Sequence, residues 1–204
     1  MYDSEITAEE LAAAVADTVN VGCRIPPEFY LDELSRLEQL LYSEYIREER
    51  VLYAVARDGE IDLGEAVVPE GERLPRADDV FAVCIGMQPL RRRRLSEVYL
   101  LDPEEDGECY YKSDDRVLSL SIRDSDEDSV AVFYRAAPRL KRGEGAADRV
   151  ALPFEFLPLA EAKLRGEAYK RAEDDLLAAK WLAEYNAQLA AFAAWLGGAE
   201  ARAV

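Results

Sequence analysis

Apolar positions recur every three or four residues at both ends of this chain and every second residue through its middle, so helices should flank a block of strands. Thr7-Ala8-Glu9-Glu10 has the form of a capping box: the Thr7 hydroxyl can accept the N–H three residues on, and Glu10 can reach back to the cap. Leu11, Ala14, Val15 and Thr18 follow at helical spacing and predict a short first helix that ends before Gly22. Pro26 and Pro27 open a second helix, because proline is tolerated in a first turn. Leu31, Leu34, Leu37, Leu41 and Tyr45 supply its apolar stripe.

The period then changes. Residues 50–57 can extend that helix or begin a strand, and Asp58-Gly59 ends the run either way. Strand-like runs follow at Val80 to Ile85, Glu97 to Leu101, Cys109 to Tyr111, Arg116 to Ile122 and Val130 to Arg135. In the fourth of these, Val117, Ser119 and Ser121 alternate with Leu118, Leu120 and Ile122, which predicts one wet and one buried face. Acidic connections (Asp102 to Gly107, Asp124 to Asp128) separate the runs, and the block is expected to be an antiparallel meander.

After Pro138 and a polar loop, Leu152-Pro153 leads into a helical pattern continuous from about Leu159 to Leu196. Such a helix has about 38 residues and spans roughly 55 Å. Trp181, Tyr185, Phe192 and Trp195 fall on related faces beside Leu177, Leu182, Leu189 and Leu196. A rod of that length outreaches so small a domain, which makes these aromatics candidate oligomer contacts. The alternative is a break near Gly166 and a hairpin. Glu161/Arg165 and Glu167/Arg171 are four-apart ion pairs in the favourable order.

The fold class that results is α+β: a helical bundle with a long C-terminal helix and an inserted antiparallel β meander. Its expected parts are a helical segment over 1–57, a β-rich insertion over 58–137, and a loop and long helix over 138–204 that complete the helical domain.

Composition narrows the function. The 204 residues carry a formal net charge of -17, which opposes nucleic-acid phosphates and anionic membranes. No run approaches the roughly 18 apolar residues of a membrane span, and the acidic first residues do not resemble a signal peptide. Cys23, Cys84 and Cys109 are too widely spaced for a disulfide framework or zinc knuckle, so reduced, buried thiols in a cytoplasm are expected. The chain contains no histidine, which removes the commonest general base and transition-metal ligand. No phosphate-binding glycine loop or nucleophile-elbow pattern occurs. Asp124, Asp126 and Asp128 alternate as in a calcium loop, but Ser129 and Arg135 stand where that loop needs glycine and glutamate. The expectation is a protein that is not an enzyme and holds no cofactor or metal.

Arg91-Arg92-Arg93-Arg94 is the sharp local anomaly in so acidic a chain. Pairing with acidic segments of the same or a neighbouring subunit, docking of an acidic partner protein, and contact with DNA phosphates are the three readings. An isolated basic patch on an acidic body binds DNA weakly at physiological salt. Gly197-Gly198 has the form of a helix stop, leaving a tail, Ala199-Glu200-Ala201-Arg202-Ala203-Val204, that either frays or orders on a partner.

The order of parts (helical N-terminus, Pro-led helix, acidic β insertion, a strand ending at Tyr134-Arg135 before Pro138, then Leu152-Pro153 and a terminal helix with Ala179-Lys180-Trp181-Leu182 and Tyr185-Asn186) resembles the head–tail connector, or adaptor, proteins of tailed bacteriophages. The resemblance covers most of the chain and rests on layout. It implies a structural virion protein made in the host cytoplasm and placed in the neck, forming a homo-oligomeric ring, commonly of twelve copies, beneath the portal. That ring would lengthen the DNA channel, pass DNA without binding it specifically, and offer a platform to the next neck or tail protein. By the same resemblance, Gly197 to Val204 is the candidate portal-binding tail. The alternative is an acidic cytoplasmic binding or regulatory module, such as a DNA mimic.

Overall fold

The computed structural model describes residues 4–86, 88–98, 107–121 and 129–203. The protein is α+β and divides into two units. The helical unit joins the chain up to Ile46 with the chain from Pro138 onward, and the β-rich unit is Arg47–Ala137. The insertion therefore begins about ten residues before the expected position 58, because the ambiguous run at 50–57 is a strand.

In the helical unit, α1 (Ala8–Thr18) starts at the Thr7 capping box, with Glu10 N to Thr7 Oγ1 at 3.2 Å and Thr7 N to Glu10 Oε2 at 2.9 Å. α2 (Pro27–Leu41) opens on its proline and ends in a π-helical turn, Tyr42–Ile46. Leu11 and Val15 of α1 and Tyr30, Leu34, Leu37 and Leu41 of α2 are buried in one core.

The chain's last third departs from the expected single rod. It forms two helices, α4 (Leu157–Arg171) and α5 (Asp175–Ala203), packed against each other as a hairpin. The break falls at Ala172-Glu173-Asp174. Glu173 takes a left-handed backbone (φ 60°), and Asp174 Oδ1 accepts the Leu177 N–H at 3.1 Å, capping α5. Gly166 is not a bend. A side chain there would strike Leu182: its Cβ would stand 2.8 Å from Leu182 Cδ2 and 3.4 Å from the Leu182 backbone nitrogen. Glycine thus permits the close approach of the two helices. Of the expected ion pairs, Glu161–Arg165 forms at 3.2 Å, whereas Glu167 pairs with Lys163 at 2.7 Å and lies 3.8 Å from Lys170. Arg171 instead covers the Phe29 ring.

The β-rich unit holds two four-stranded sheets rather than a meander. Counting strands in chain order, these are β1 (Glu49–Val55), β2 (Glu60–Asp62), β3 (Val80–Ile85), β4 (Gln88–Pro89), β5 (Arg91–Arg93), β6 (Cys109–Lys112), β7 (Val117–Ser121) and β8 (Ser129–Arg135). The first sheet runs β1-β8-β3-β4 and is antiparallel throughout; the second runs β2-β7-β6-β5, with β5 parallel to β6. Leu52, Val83, Val130 and Val132 of the first sheet share a buried core with Ile61, Tyr110, Leu118 and Leu120 of the second. Asp58 (φ 52°) and Gly59 (φ 76°) make the tight turn with two positive φ values that the sequence announced, closed by reciprocal Arg57–Glu60 bonds of 2.9 Å.

Two strand expectations change. Ser119 is buried with its leucine neighbours and bonds Glu60 at 3.4 Å, so the wet face of β7 is incomplete. Leu95–Val98, where a strand was expected to begin at Glu97, is one short helical turn, α3, with Glu97 accepting the Arg94 N–H at 3.0 Å. The rest of that run, residues 99–101, lies outside the described residues, as do Ile122 and the alternating aspartates at 124, 126 and 128.

Candidate functional site

One polar seam organises the helical unit. Asp32, Ser35, Glu38 and Gln39 lie at helical spacing along α2, and each binds the segment 138–151. Asp32 pairs with Arg142, Ser35 Oγ accepts the Lys141 N–H at 2.8 Å, and Gln39 donates to the Pro138 carbonyl at 3.5 Å. Glu38 Oε1 accepts the Ala151 N–H at 2.8 Å, while Oε2 lies 3.5 Å from Lys141 Nζ. Lys141 Nζ also donates to the Arg149 carbonyl at 2.8 Å. Both members of the Glu38–Lys141 pair are buried, and Glu38 Oε2 accepts no hydrogen bond. Burial pushes the Glu38 carboxyl up to about 7, and the attraction of Lys141 and the Ala151 N–H only partly offsets it. This arrangement holds a loop on a helix.

The first three residues of the arginine run form edge strand β5, and Arg94 follows it. Arg91, Arg92 and Arg94 are exposed and Arg93 is half-buried. Arg92 donates to the Val80 carbonyl at 3.1 Å and lies 4.0 Å from Asp78, whose closer partner is Lys112. Among the described residues, Arg91, Arg93 and Arg94 form no ion pair. Among the described residues, intramolecular pairing thus reaches Arg92 alone. Placement on a sheet edge gives the run a physical use, since adjacent positive charges oppose edge-to-edge pairing of sheets.

The aromatic residues expected at an oligomer contact serve the protein's own core. Tyr185 and Phe192 are buried, and Trp181 and Trp195 pack half-buried against the same cluster. Phe156 meets Phe192 edge-on with centroids 4.9 Å apart and Trp195 at 5.4 Å. Trp181 lies beneath the Arg165 guanidinium, 4.7 Å away, in a shallow groove of about 360 Å³ between α4 and α5. The reason is the helical break: once α5 folds back on α4, the aromatic stripe has an intramolecular partner. The signal that could have found it is Asp174 three residues before Leu177, a cap sequence lying inside an otherwise continuous apolar pattern.

Gly197 and Gly198 do not stop the helix. α5 runs through them to Ala203, because neither takes the left-handed conformation that closes a helix. Val204 lies outside the described residues. The thiols are not uniformly buried either: Cys23 is exposed, Cys84 half-buried and Cys109 buried. Among the described residues no cluster of cysteine and carboxylate side chains is arranged to hold a metal ion, and no helix is long and apolar enough to cross a membrane.

The four sheet edges differ sharply. β4 has two residues and includes Pro89, β2 has three, and β5 is the arginine strand. β1 has seven residues and presents Val51, Tyr53 and Val55 at 44, 77 and 52% exposure. No protein-family model matches this chain, and no curated protein matches it.

Proposed function

We propose that this protein is a structural head–tail connector of a tailed bacteriophage: a ring-forming adaptor that sits below the portal, extends the DNA channel and receives the next neck or tail component. The observation that carries the proposal is the layout. Both ends of the chain build one helical unit, a β-rich unit is inserted between them, and the chain closes on its longest helix. α5 has 29 residues against 15 for α4, so it extends about 20 Å further. Its exposed side carries Ala179, Ala183, Ala187, Ala190 and Ala194, small residues that let a neighbouring backbone approach. In a cyclic ring such a face meets a different face of the next copy.

The charge fits the same role. A net charge of -17 gives a channel wall few counterion-releasing contacts, so DNA can slide past without being held. The exposed arginines of β5 are candidate contacts for an acidic neighbour or partner, and the helical end from Gly197 to Ala203 is the candidate portal contact. No residue needs to perform chemistry.

Mass photometry of the purified protein, alone and mixed with the portal of the proposed phage, tests the proposal. Monomers or small oligomers alone, and a ring on the portal, are expected. A monomer that never joins the portal overturns it. The second reading, an acidic regulatory module, rests on the charge alone. Recovery of a host DNA-binding protein instead of virion proteins in a pull-down would put it first.

A further inference from the structure

Residues 138–151 run as a strap along α2, and one side chain ties its start and its end. Glu38 Oε1 accepts the Ala151 N–H at 2.8 Å, and Oε2 faces Lys141 Nζ at 3.5 Å. Of the other ties, Ser35 Oγ holds the Lys141 N–H. The Gln39–Pro138 bond is long at 3.5 Å, and the Asp32–Arg142 pair lies at the surface, with side chains 29 and 64% exposed.

The strap in turn holds the first described residues. The Ser4 N–H donates to the Val150 carbonyl at 3.1 Å, and the Val150 N–H donates to the Ile6 carbonyl at 3.0 Å. The Ala8 N–H, one of the donors that the start of a helix leaves open, reaches the Asp148 carbonyl at 2.9 Å. Arg139 closes the strap on itself with two bonds to Asp148, of 2.6 and 3.0 Å. Residues 4–8, the strap and α2 are therefore linked in series, and the Glu38 carboxyl lies inside the last link.

The strength of that link depends on a proton. Glu38 is fully buried, and Oε2 accepts no hydrogen bond. The charged groups that act on it both belong to the strap: Lys141 favours the ionised carboxylate and Asp148 opposes it. On α2 itself, Asp32 is engaged by Arg142 and Glu33 by Arg36. A cation 3.5 Å away without a hydrogen bond does not repay the loss of water around a carboxylate. The neutral carboxyl escapes that cost and still holds the Ala151 N–H through Oε1. Lys141 keeps the Arg149 carbonyl in either state.

We propose that residues 138–151 form a proton-controlled strap: with Glu38 protonated, the strap and residues 4–8 bound to it stay closed on α2, and with Glu38 ionised they open. Opening admits water to Glu38 and returns it to the ordinary glutamate range. In the closed strap, burial holds it at about 7. The closed form thus binds the proton more tightly, so opening increases as pH rises between those two values and levels off above the higher one. The device needs neither a ring nor a portal.

Hydrogen exchange of the full chain, followed by mass spectrometry and corrected for the intrinsic rate at each pH, tests it. Peptides covering 138–151 and 4–8 are expected to be less protected than the middle of α5 at every pH, the mark of a local opening. Between about pH 5 and about pH 8 their protection should fall roughly tenfold or more in wild type. It should stay nearly constant in Glu38→Gln, which keeps the size and the acceptor for the Ala151 N–H. Equal protection of strap and α5, or the same fall in Glu38→Gln, overturns the proposal. A second measurement does not depend on the variant: the Glu38 13Cδ resonance of wild type should titrate near neutral pH. A midpoint in the ordinary glutamate range overturns the proposal as well.

Discussion

Glu38 on α2 and Lys141 in the loop after the β-rich unit stand 3.5 Å apart, with side chains 0 and 1% exposed. Burying two charges costs more than their attraction returns unless both are well hydrogen-bonded, and Glu38 Oε2 is not. The Glu38 carboxyl consequently holds its proton to about pH 7 in the folded protein, above the ordinary glutamate range. Between those two values the folded state binds the proton more tightly than the unfolded chain does. Its contribution to stability is thus complete at low pH and is lost as pH rises through about 7. Denaturant unfolding at about pH 5 and about pH 8 should show wild type losing about 1–3 kcal/mol relative to Glu38→Gln across that interval. An equal pH dependence in the two proteins would show that Glu38 does not titrate there. Replacing the pair together, Glu38→Leu with Lys141→Met, should be neutral or stabilising, whereas Lys141→Met alone should cost about 3 kcal/mol.

The approach of α4 to α5 depends on Gly166. A side chain at this position displaces Leu182 and then meets the α5 backbone. Leucine is a better helix former than glycine by about 1 kcal/mol, so propensity alone would raise stability. Overpacking at a close crossing costs about 1–3 kcal/mol and should win. Gly166→Leu is expected to melt at a lower temperature than wild type in a thermal scan. A higher melting temperature would mean that the two helices separate freely.

Local chemistry made the outer elements of the fold readable, and what stayed hidden depended on distant contacts. The Thr7 box, the Pro27 start and the Asp58-Gly59 turn each satisfy their own backbone groups within a few residues, so their sequences are sufficient signals. The α4–α5 break carries neither proline nor glycine; Glu173 occupies the left-handed position that glycine usually fills, and the apolar pattern runs on across it. The parallel pairing of β5 with β6 joins segments separated by an acidic stretch, and no periodicity encodes which strand lies beside which. At the candidate contacts, residue type was a sound guide to exposure for the arginines and a poor one for the aromatics, because Phe192 looks the same in sequence whether it meets another copy or Phe156.

The arginines of β5 should matter to association and hardly at all to folding. Arg91, Arg93 and Arg94 support no ion pair among the described residues, and exposed substitutions of that kind usually stay within about 0.5 kcal/mol. Arg92 adds its bond to the Val80 carbonyl, a net contribution of about 1 kcal/mol. Replacing all four with serine should leave the circular dichroism spectrum unchanged and the midpoint only slightly lower. Ring formation on the portal should weaken, most visibly at low salt where surface charges act furthest. Unchanged assembly across a salt series would remove the run from the contact and leave edge protection as its role. A second variant separates that role: Arg91→Val with Arg93→Val should increase light scattering on storage, because an uncharged β-branched edge pairs readily.

Phe192 distinguishes a core aromatic from one held for another copy. It is fully buried between Phe156 and Trp195, with its ring stacked near Trp195 at 6.1 Å. Phe192→Ala removes that ring and leaves a cavity, which costs about 3–5 kcal/mol. If the ring belongs to the protomer's own core, the loss appears in the isolated chain and does not depend on protein concentration. If the ring were an intersubunit anchor instead, the deficit would vanish on dilution to monomer, because only an assembled state gains from it. Urea unfolding of wild type and Phe192→Ala at two protein concentrations a hundredfold apart (a shift of about 2.7 kcal/mol for any step that couples to association) decides between them, and the same deficit at both is the expected result.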